Sequence, residues 1–548
     1  MSKRFFAPCA ASELPSRGTR LALCMAISAV LPAFAQQPAP AAVAPPAAVQ
    51  SAPSPVFAIR GFQVTGDNPL GEGETSAVLA PFLRSDATID TLQKATAALE
   101  AALRERGFGL HRVALPPQEV GERVTLSVVK FTISRVTMDP LTIYDEANIR
   151  HSIPELKEGQ TPNFKVLAVQ TAIANENPNK QVTVGIKESD EPDKIDATVT
   201  VKELRPWTFS ASLSNTGSAS SGRDRLTLSG GHTNLFNRDH TFIGAYTTSI
   251  ERTGDVKQLG LSYKIPLYAL GGVVGLSYTH SDVVGNFGTF NSTGAGRTAG
   301  VNYTHYLPPD GGRRTYLTAA FDDKLFRASK INDEVIGVDR RSRPLALGYA
   351  SRTETDTAVW GYNIDAAFNV SGGSGNDLVS YRAEDPNIET THWKALRGGA
   401  NYSGGFRGAW NWSVRGQAQY SPDVLISGEQ FGLGGLGSVR GTSIERPLSG
   451  DKGLSGTLEL STPELMTGLR AIGFIDAGWL GNNNPAPPKP SSDRLASAGL
   501  GLRYSLGWLA VSLDYGYIFT GSKVPLSLNS SAPQKGDNRF YISVSVRF

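Results

Sequence analysis

From Phe57 onward the apolar residues follow two different periods in turn, and the change from one to the other divides the chain. Phe57-Ala58-Ile59-Arg60-Gly61-Phe62-Gln63-Val64 alternates with period two, as a strand does, and ends in the turn signal Thr65-Gly66-Asp67-Asn68-Pro69. Glu74 to Leu83 and then Thr91 to Arg106 have helical spacing. In the second, Leu92, Ala95, Leu99, Ala102 and Leu103 share one face, with Asp90 as the expected N-cap and Gly107 as the stop. Strands over His111 to Leu115 and Val124 to Phe131 complete the order β-α-α-β-β. The order then repeats: a strand over Thr132 to Met138, helices over Tyr144 to Ile153 and Asn163 to Asn175, and a closing strand pair over Gln181 to Lys187 and Lys194 to Glu203. An identical element order at a spacing of about 75 residues argues for two copies of one small α/β module.

After Pro206 the helical signal stops. Segments of about ten residues with strict alternation follow, separated by Gly, Asn, Asp, Pro or Ser. In the final segment Phe540, Ile542, Val544, Val546 and Phe548 alternate with Tyr541, Ser543, Ser545 and Arg547. In the segment before it, Leu509, Val511, Leu513, Tyr515 and Tyr517 alternate with Ala510, Ser512, Asp514 and Gly516. A soluble sandwich alternates too, but here the second face is mainly Gly, Ser, Ala and Thr with occasional charge, as a lumen requires. Aromatic residues gather near segment ends at Tyr263, Tyr278, Tyr303, Tyr306, Tyr515, Tyr517 and Phe519, where a bilayer interface favours amphipathic rings. Segment starts near Trp207, Arg225, His240, Val256, Gly272, Arg297, Arg313, Arg343, Asp356, Trp393, Trp410, Leu454, Leu469, Leu495, Gly507 and Arg539 predict about sixteen strands. One connection, 421–453, is long and glycine-rich. The expected fold is therefore α+β modules followed by an all-β antiparallel transmembrane barrel, with units at 56–131, 132–205 and 206–548.

The N-terminus fits this destination. Lys3, Arg4, Arg17 and Arg20 precede the apolar run Leu21 to Leu31, and Ala33-Phe34-Ala35 stands before Gln36, which reads as a secretory signal peptide over 1–35. A lipidated Cys24 is the alternative, but Leu23 is bulky for that role and the apolar run would be cut short. Residues 36–55, almost all Ala, Pro, Gln, Val and Ser, cannot bury a core and read as a linker. Both cysteines, Cys9 and Cys24, fall in the removable segment, so the mature chain carries no disulfide, thiolate nucleophile or thiolate metal site.

Charge and motif content narrow the function. A formal net charge of +3 without any Lys/Arg-rich tract gives no footprint for nucleic acid. His111, His151, His232, His240, His280, His305 and His392 lack metalloprotease spacing, and neither a nucleotide-binding phosphate loop nor a serine-hydrolase elbow is found. Gly434 to Gly441 is glycine-rich but does not open a helix. No enzyme, cofactor, metal or nucleotide is expected.

Within the long connection, Ser427-Gly428-Glu429-Gln430-Phe431, then Gly434-Gly435-Leu436-Gly437-Ser438-Val439-Arg440-Gly441-Thr442, then Ser449-Gly450-Asp451-Lys452-Gly453 resemble the signature of two-partner secretion transporters, the TpsB family of ShlB/FhaC/HecB type. The resemblance extends to two polypeptide-transport-associated (POTRA) modules, the Asn177-Pro178 turn, the Asn215-Thr216-Gly217 and Asn234-Leu235-Phe236 signals, and a terminal Phe548. It implies that the sixth extracellular loop folds back into the lumen with Val439, Arg440 and Gly441 at its tip. Thr442 departs from the usual aromatic, so no stacking is implied there. It also implies that Phe474, Asp476 and Gly478, matching a Phe-x-Asp-x-Gly motif, supply the barrel-wall partner, with Asp476 facing Arg440. A guanidinium in a narrow lumen needs a carboxylate of matching bidentate geometry.

The family further implies export of an unfolded TpsA-like exoprotein of haemolysin or adhesin type across the outer membrane. The modules would bind it in the periplasm, with Phe164, Val166, Val169 and Ile173 as candidate contacts. It implies insertion into lipid by the barrel assembly machinery, with Phe548 in the targeting C-terminus. Two rival classes are weighed against this: a passive porin, which leaves the duplicated modules and the arginine-tipped loop unexplained, and an outer-membrane protein insertase, whose members usually carry three or more such modules.

Overall fold

The computed structural model describes residues 56–548 apart from Val120, Gly288, Asn332, Asp333 and Pro488; the expected signal peptide and linker lie outside the described residues. The first module pairs strand Gly61–Gly66 in parallel with Arg123–Lys130, which pairs antiparallel with His111–Ala114. The second pairs Thr132–Met138 in parallel with Lys194–Glu203, which pairs antiparallel with Lys180–Glu188. The two sheets share one topology, the structural counterpart of the repeated element order. In the first module Leu92, Ala95, Leu99 and Leu103 of helix Ile89–Glu105 turn onto the sheet and are buried. Thr88, not Asp90, is the N-cap: its backbone N–H donates to Thr91 Oγ1 (3.1 Å), while Asp90 pairs with Lys94 on the surface (2.6 Å). Gly107, with φ +95°, takes the chain out of the helix in the left-handed conformation that its lack of a Cβ permits.

Beyond Trp207 the chain closes into an antiparallel barrel of sixteen strands. Arg340–Ser342 and Pro344–Glu354 form one of these, interrupted where the Arg343 N–H leaves the ladder for Asn369 Oδ1 (2.6 Å) and Pro344 has no N–H to offer. The observed starts lie close to those marked by the alternation; the largest displacements are three residues, at Arg343 against Arg340 and Leu495 against Ser492. The last strand, Asn538–Arg547, pairs with the first, Trp207–Ser214, from Ser543↔Ser214 to Arg547↔Ser210. Asn215 extends this seam: its Nδ2 donates to Phe540 O (2.8 Å) and its Oδ1 accepts from Ile542 N (2.9 Å).

Alternation translates into an outer apolar band and an inner polar face. Leu228, Ile364, Leu458, Ile475, Leu500 and Phe540 are exposed, whereas the neighbours of two of them in sequence, Asp476 and Tyr541, are buried. So wide an apolar exterior on a closed barrel suits lipid. Tyr278, Tyr515, Tyr517 and Phe519 point outward with it. Tyr306 does not belong to that girdle: Val301 is outward, so Tyr306, five residues on, is inward, and it packs against the second module's core.

The second module is seated on the barrel's short-turn end. Tyr268, in the turn after strand Gln258–Leu267, is buried in the module's own core. Lys180 donates to Asp239 Oδ2 (2.6 Å) and Asn148 Oδ1 (2.8 Å), and Tyr268 donates to the same Asp239 Oδ2 (2.7 Å). Both charges are withdrawn from solvent, with side-chain exposures of 0% for Lys180 and 3% for Asp239. Burial pushes the Lys180 ammonium below its ordinary value, and Asp239 opposes that shift. Asn177 Nδ2 and Asn179 Nδ2 donate to Thr233 O (3.1 Å) and Thr233 Oγ1 (3.2 Å), and Asn148 Nδ2 to Asn234 Oδ1 (3.0 Å). The Asn177-Pro178 turn and the Asn234-Leu235-Phe236 signal thus meet in one junction.

Candidate functional site

The connection between Trp410–Tyr420 and Lys452–Ser461 turns back into the barrel. Its stalk is a two-strand ladder of Phe431–Leu433 with Leu448–Gly450, and Phe431, Leu433, Val439 and Leu448 pack against Leu480 and Leu495 of the wall. At the tip Arg440 is 3% exposed and Asp476 fully buried. Arg440 Nε donates to Asp476 Oδ2 and Nη2 to Asp476 Oδ1, both at 2.8 Å, and its backbone N–H donates to Oδ2 at 3.1 Å. A fork-on-fork pair of this kind fixes orientation as well as distance. Arg440 Nη1 also donates to Glu459 Oε1 (2.7 Å) and Asp514 Oδ1 (3.4 Å), and Arg503 reaches Asp514 Oδ1 from the wall (2.8 Å).

Period two explains why the wall motif has its spacing. Phe474, Asp476 and Gly478 all project inward from strand Leu469–Gly481, while Ile475 and Ala477 between them are exposed. The Phe474 ring lies under the Arg440 guanidinium, 3.3 Å from carbon to centroid. Gly478 leaves room for the stalk, since a Cβ there would sit 2.2 Å from Leu433 Cδ1. Gly441, at φ +108°, lies against Gly516 of strand Leu509–Thr520; a Cβ on Gly516 would come within 2.9 Å of the Gly441 nitrogen. Thr442 is buried and donates to Ile444 O (2.8 Å), so the loop closes on itself where an aromatic ring is absent.

The sequence reading missed several partners in this cluster. Tyr541 accepts from Gly441 N (3.1 Å) and donates to Thr442 O (3.0 Å). Arg539 donates to Thr442 O and Ser443 O in the loop and to Asn215 O and Gly217 O beside the first strand. Asp514, Tyr541 and Glu459 stand in the inward register of their strands, which was the available signal. A second cluster holds the loop nearer its start: buried Glu429 accepts from Ser342 Oγ (2.8 Å) and Arg397 Nη2 (2.8 Å) and pairs with Lys324 (3.1 Å).

The four candidate contact residues of the second module do not form one surface. Val169 and Ile173 are buried in its core, because helix Phe164–Ala174 is apolar around most of its circumference and is covered by its own sheet on one side and the Tyr268 turn on another. Val166 is exposed. Phe164 is half-buried at the junction with the first module, where its N–H donates to Gly107 O (2.8 Å). Phe548 is exposed and its N–H donates to Phe209 O (2.9 Å), across the closing seam.

Comparison with known proteins places this geometry. Residues 193–504 match the family model "Haemolysin secretion/activation protein ShlB/FhaC/HecB", and residues 57–130 match "POTRA domain, ShlB-type". Outer membrane transporter CdiB of Escherichia coli is 24% identical over 476 residues, spanning 84% of this chain and 79% of that protein. CdiB of Dickeya dadantii is 22% identical over 487 residues, spanning 84% and 83%. The solved structure of CdiB from Escherichia coli superposes with a TM-score of 0.71 at 21% identity, covering 92% of this chain and 93% of that one. CdiB from Acinetobacter baumannii gives 0.68 at 16%, covering 91% of each. With its barrel in the outer membrane and its modules in the periplasm, the chain belongs to the ShlB/FhaC/HecB family of TpsB transporters, secretion channels rather than enzymes.

Proposed function

We propose that this translocator captures an unfolded, TpsA-like exoprotein of haemolysin or adhesin type in the periplasm and passes it outward through the barrel lumen. The observation that carries the reading is the loop itself: a buried segment held in the pore by the Arg440–Asp476 fork. A pore built only for passive diffusion has no use for an obstruction fixed by a desolvated ion pair. Such a pair holds one arrangement firmly and, once broken, leaves two charges that water can accept, which suits a segment that must be parked and then displaced.

The modules supply a capture surface through backbone chemistry. Among the described residues His111–Ala114 and Lys180–Glu188 are each paired on one side only. Asn175 satisfies Val182 on the outer edge of the latter, and beyond it Gly185 and Ile186 are exposed. An extended chain can add to such an edge without a sequence requirement. With no nucleotide in the periplasm, folding of the emerging partner outside the cell biases diffusion outward. Insertion of the transporter itself proceeds through the barrel assembly machinery, with the C-terminal strand and Phe548 as its recognised end.

Reconstitution in liposomes tests the reading. Purified transporter is expected to move an unfolded partner to the far side, and Arg440→Ala to abolish that movement while leaving the barrel folded. Normal export by Arg440→Ala removes the loop tip from the mechanism.

A further inference from the structure

The loop is ion-paired to the wall at different depths, through Arg440 at its tip and Glu429 near its start, and the second attachment is unaccounted for by the tip motif. Glu429 is 2% exposed, and its carboxylate meets Lys324 on strand Arg313–Phe326, Ser342 on Arg340–Ser342 and Arg397 on Lys394–Phe406. Counted round the ring, those are the seventh, eighth and tenth strands. Arg440 is bound from the twelfth, thirteenth and fifteenth, which carry Glu459, Asp476 and Asp514. The two arcs do not overlap, and Lys324 and Asp514 stand eight places apart in a ring of sixteen, on opposed walls.

Depth separates the pins as well. Lys324, Ser342 and Arg397 lie near the strand ends remote from the modules, whereas Asp476 and Asp514 lie mid-strand. Around the outer pin the attachment is reinforced: Arg397 Nη2 and Gln419 Nε2 both donate to Glu429 O, and Ser427 N donates to Glu384 Oε1 of the extracellular segment 370–393, whose Glu384 pairs with Arg340 (2.7 Å).

We propose that Glu429 is a second, outer pin, a positioning residue that makes the loop a strap spanning the lumen between two walls. A segment hinged at one point swings aside when that point is released. A strap stays across the pore until both ends are free, so displacement of the inner tip alone leaves the extracellular mouth obstructed. The charge balance favours such a catch: one carboxylate faces two cations, and an incoming chain that screens or replaces Glu429 leaves Lys324 and Arg397 to be solvated at the mouth.

The proposal rests on the export reading only for its meaning in transport; the strap itself is tested on the empty pore. Full-length transporter is placed in planar lipid bilayers without any partner and single-channel openings are recorded. Glu429→Gln, close in size but uncharged, and Asp476→Asn are each expected to raise open time modestly, and the double variant to raise it about tenfold over either alone, as two catches in series require. Glu429→Asp is expected to restore part of the parental closure, which a purely packing role for the side chain would not produce. Heat-modifiable migration shows that each barrel is folded; should Glu429→Gln not fold, Arg397→Gln together with Lys324→Gln removes the same pin from the wall side. Parental conductance in Glu429→Gln, with a double variant no more open than Asp476→Asn, overturns the strap. If the double variant opens and yet the parental transporter moves no unfolded partner in liposomes, the strap stands and the export reading fails.

Discussion

Phe474 and Asp476 hold Arg440 by two different chemistries from adjacent inward positions of one strand: the ring takes the guanidinium face at 3.3 Å and the carboxylate takes its edge at 2.8 Å. Strand geometry makes this possible, since residues two apart share a face and lie close enough to serve one side chain. Removing the carboxylate leaves a desolvated cation short of its main partner, a loss of roughly 3–5 kcal/mol. Removing the ring costs about 1–2 kcal/mol. Asp476→Asn is therefore expected to loosen the loop more than Phe474→Leu. Limited proteolysis of residues 434–446 in detergent, timed for both variants, ranks them; the reverse order removes the ion pair from its leading role.

Gly478 is a clearance position rather than a hinge, because what a side chain would strike is Leu433 of the stalk. Gly478→Val is expected to displace the stalk at a cost of roughly 1–3 kcal/mol. Leu433→Ala in the same chain is expected to recover much of that loss. Thermal unfolding of the loop, followed by tryptophan fluorescence from Trp479 on the same strand, is the measurement; a second substitution that adds to the damage contradicts the clearance argument.

The junction between module and barrel depends on a charge pair with almost no access to water. Asp239→Asn leaves Lys180 buried without its counter-charge, and a loss of about 3–5 kcal/mol of docking is expected. Lys180→Met combined with Asp239→Leu, which removes both charges, is expected to dock better than Asp239→Asn. Spin-label distances between the second module and the barrel report the seating directly, and unchanged distances in Asp239→Asn place its stability elsewhere.

Acid is expected to weaken the same junction. Asp145 caps helix Glu146–Ser152 and accepts from Asn237 Nδ2 (2.7 Å), and that bond, with the Asn148 N–H, holds its carboxyl below the ordinary value of 3.8. Because the folded value is the lower one, the stabilisation is present above about pH 4 and is lost as pH falls through the folded value. Asp145 is mostly exposed, so the effect is small. Hydrogen exchange across residues 146–152 is expected to speed up below pH 4 in the parent and to change less in Asp145→Asn.

Much of this was legible in the sequence because two physical periods dominate it. Alternation located the sixteen strand starts, since a strand between lipid and lumen must change polarity at every residue. Phe474, Asp476 and Gly478 were marked by the family resemblance, and the same alternation accounts for their spacing of two. What escaped was the set of partners each inward residue would find, because register brings together positions as distant as Gly441 and Tyr541. Glu429 stood inside the recognised loop signature, but its partners, two cations and a hydroxyl, lie on three other strands. Tyr306 and Val169 were misjudged for one reason: the sequence does not announce that the second module and the barrel share a core, so residues facing that junction looked like girdle and binding surface.

The central claim is that the lumen now holding the loop is the path of the exported chain. Asn363 and Ile364 are neighbours on strand Ala358–Asn369; Asn363 faces inward, bonded to Asp365 (2.7 Å), and Ile364 faces out, 50% exposed. A photo-crosslinking residue placed at each in turn, with a partner arrested in transit, decides the route. Crosslinks from 363 and none from 364 are expected; sustained export with no crosslink at 363, or with equal crosslinks at both, contradicts passage through the barrel.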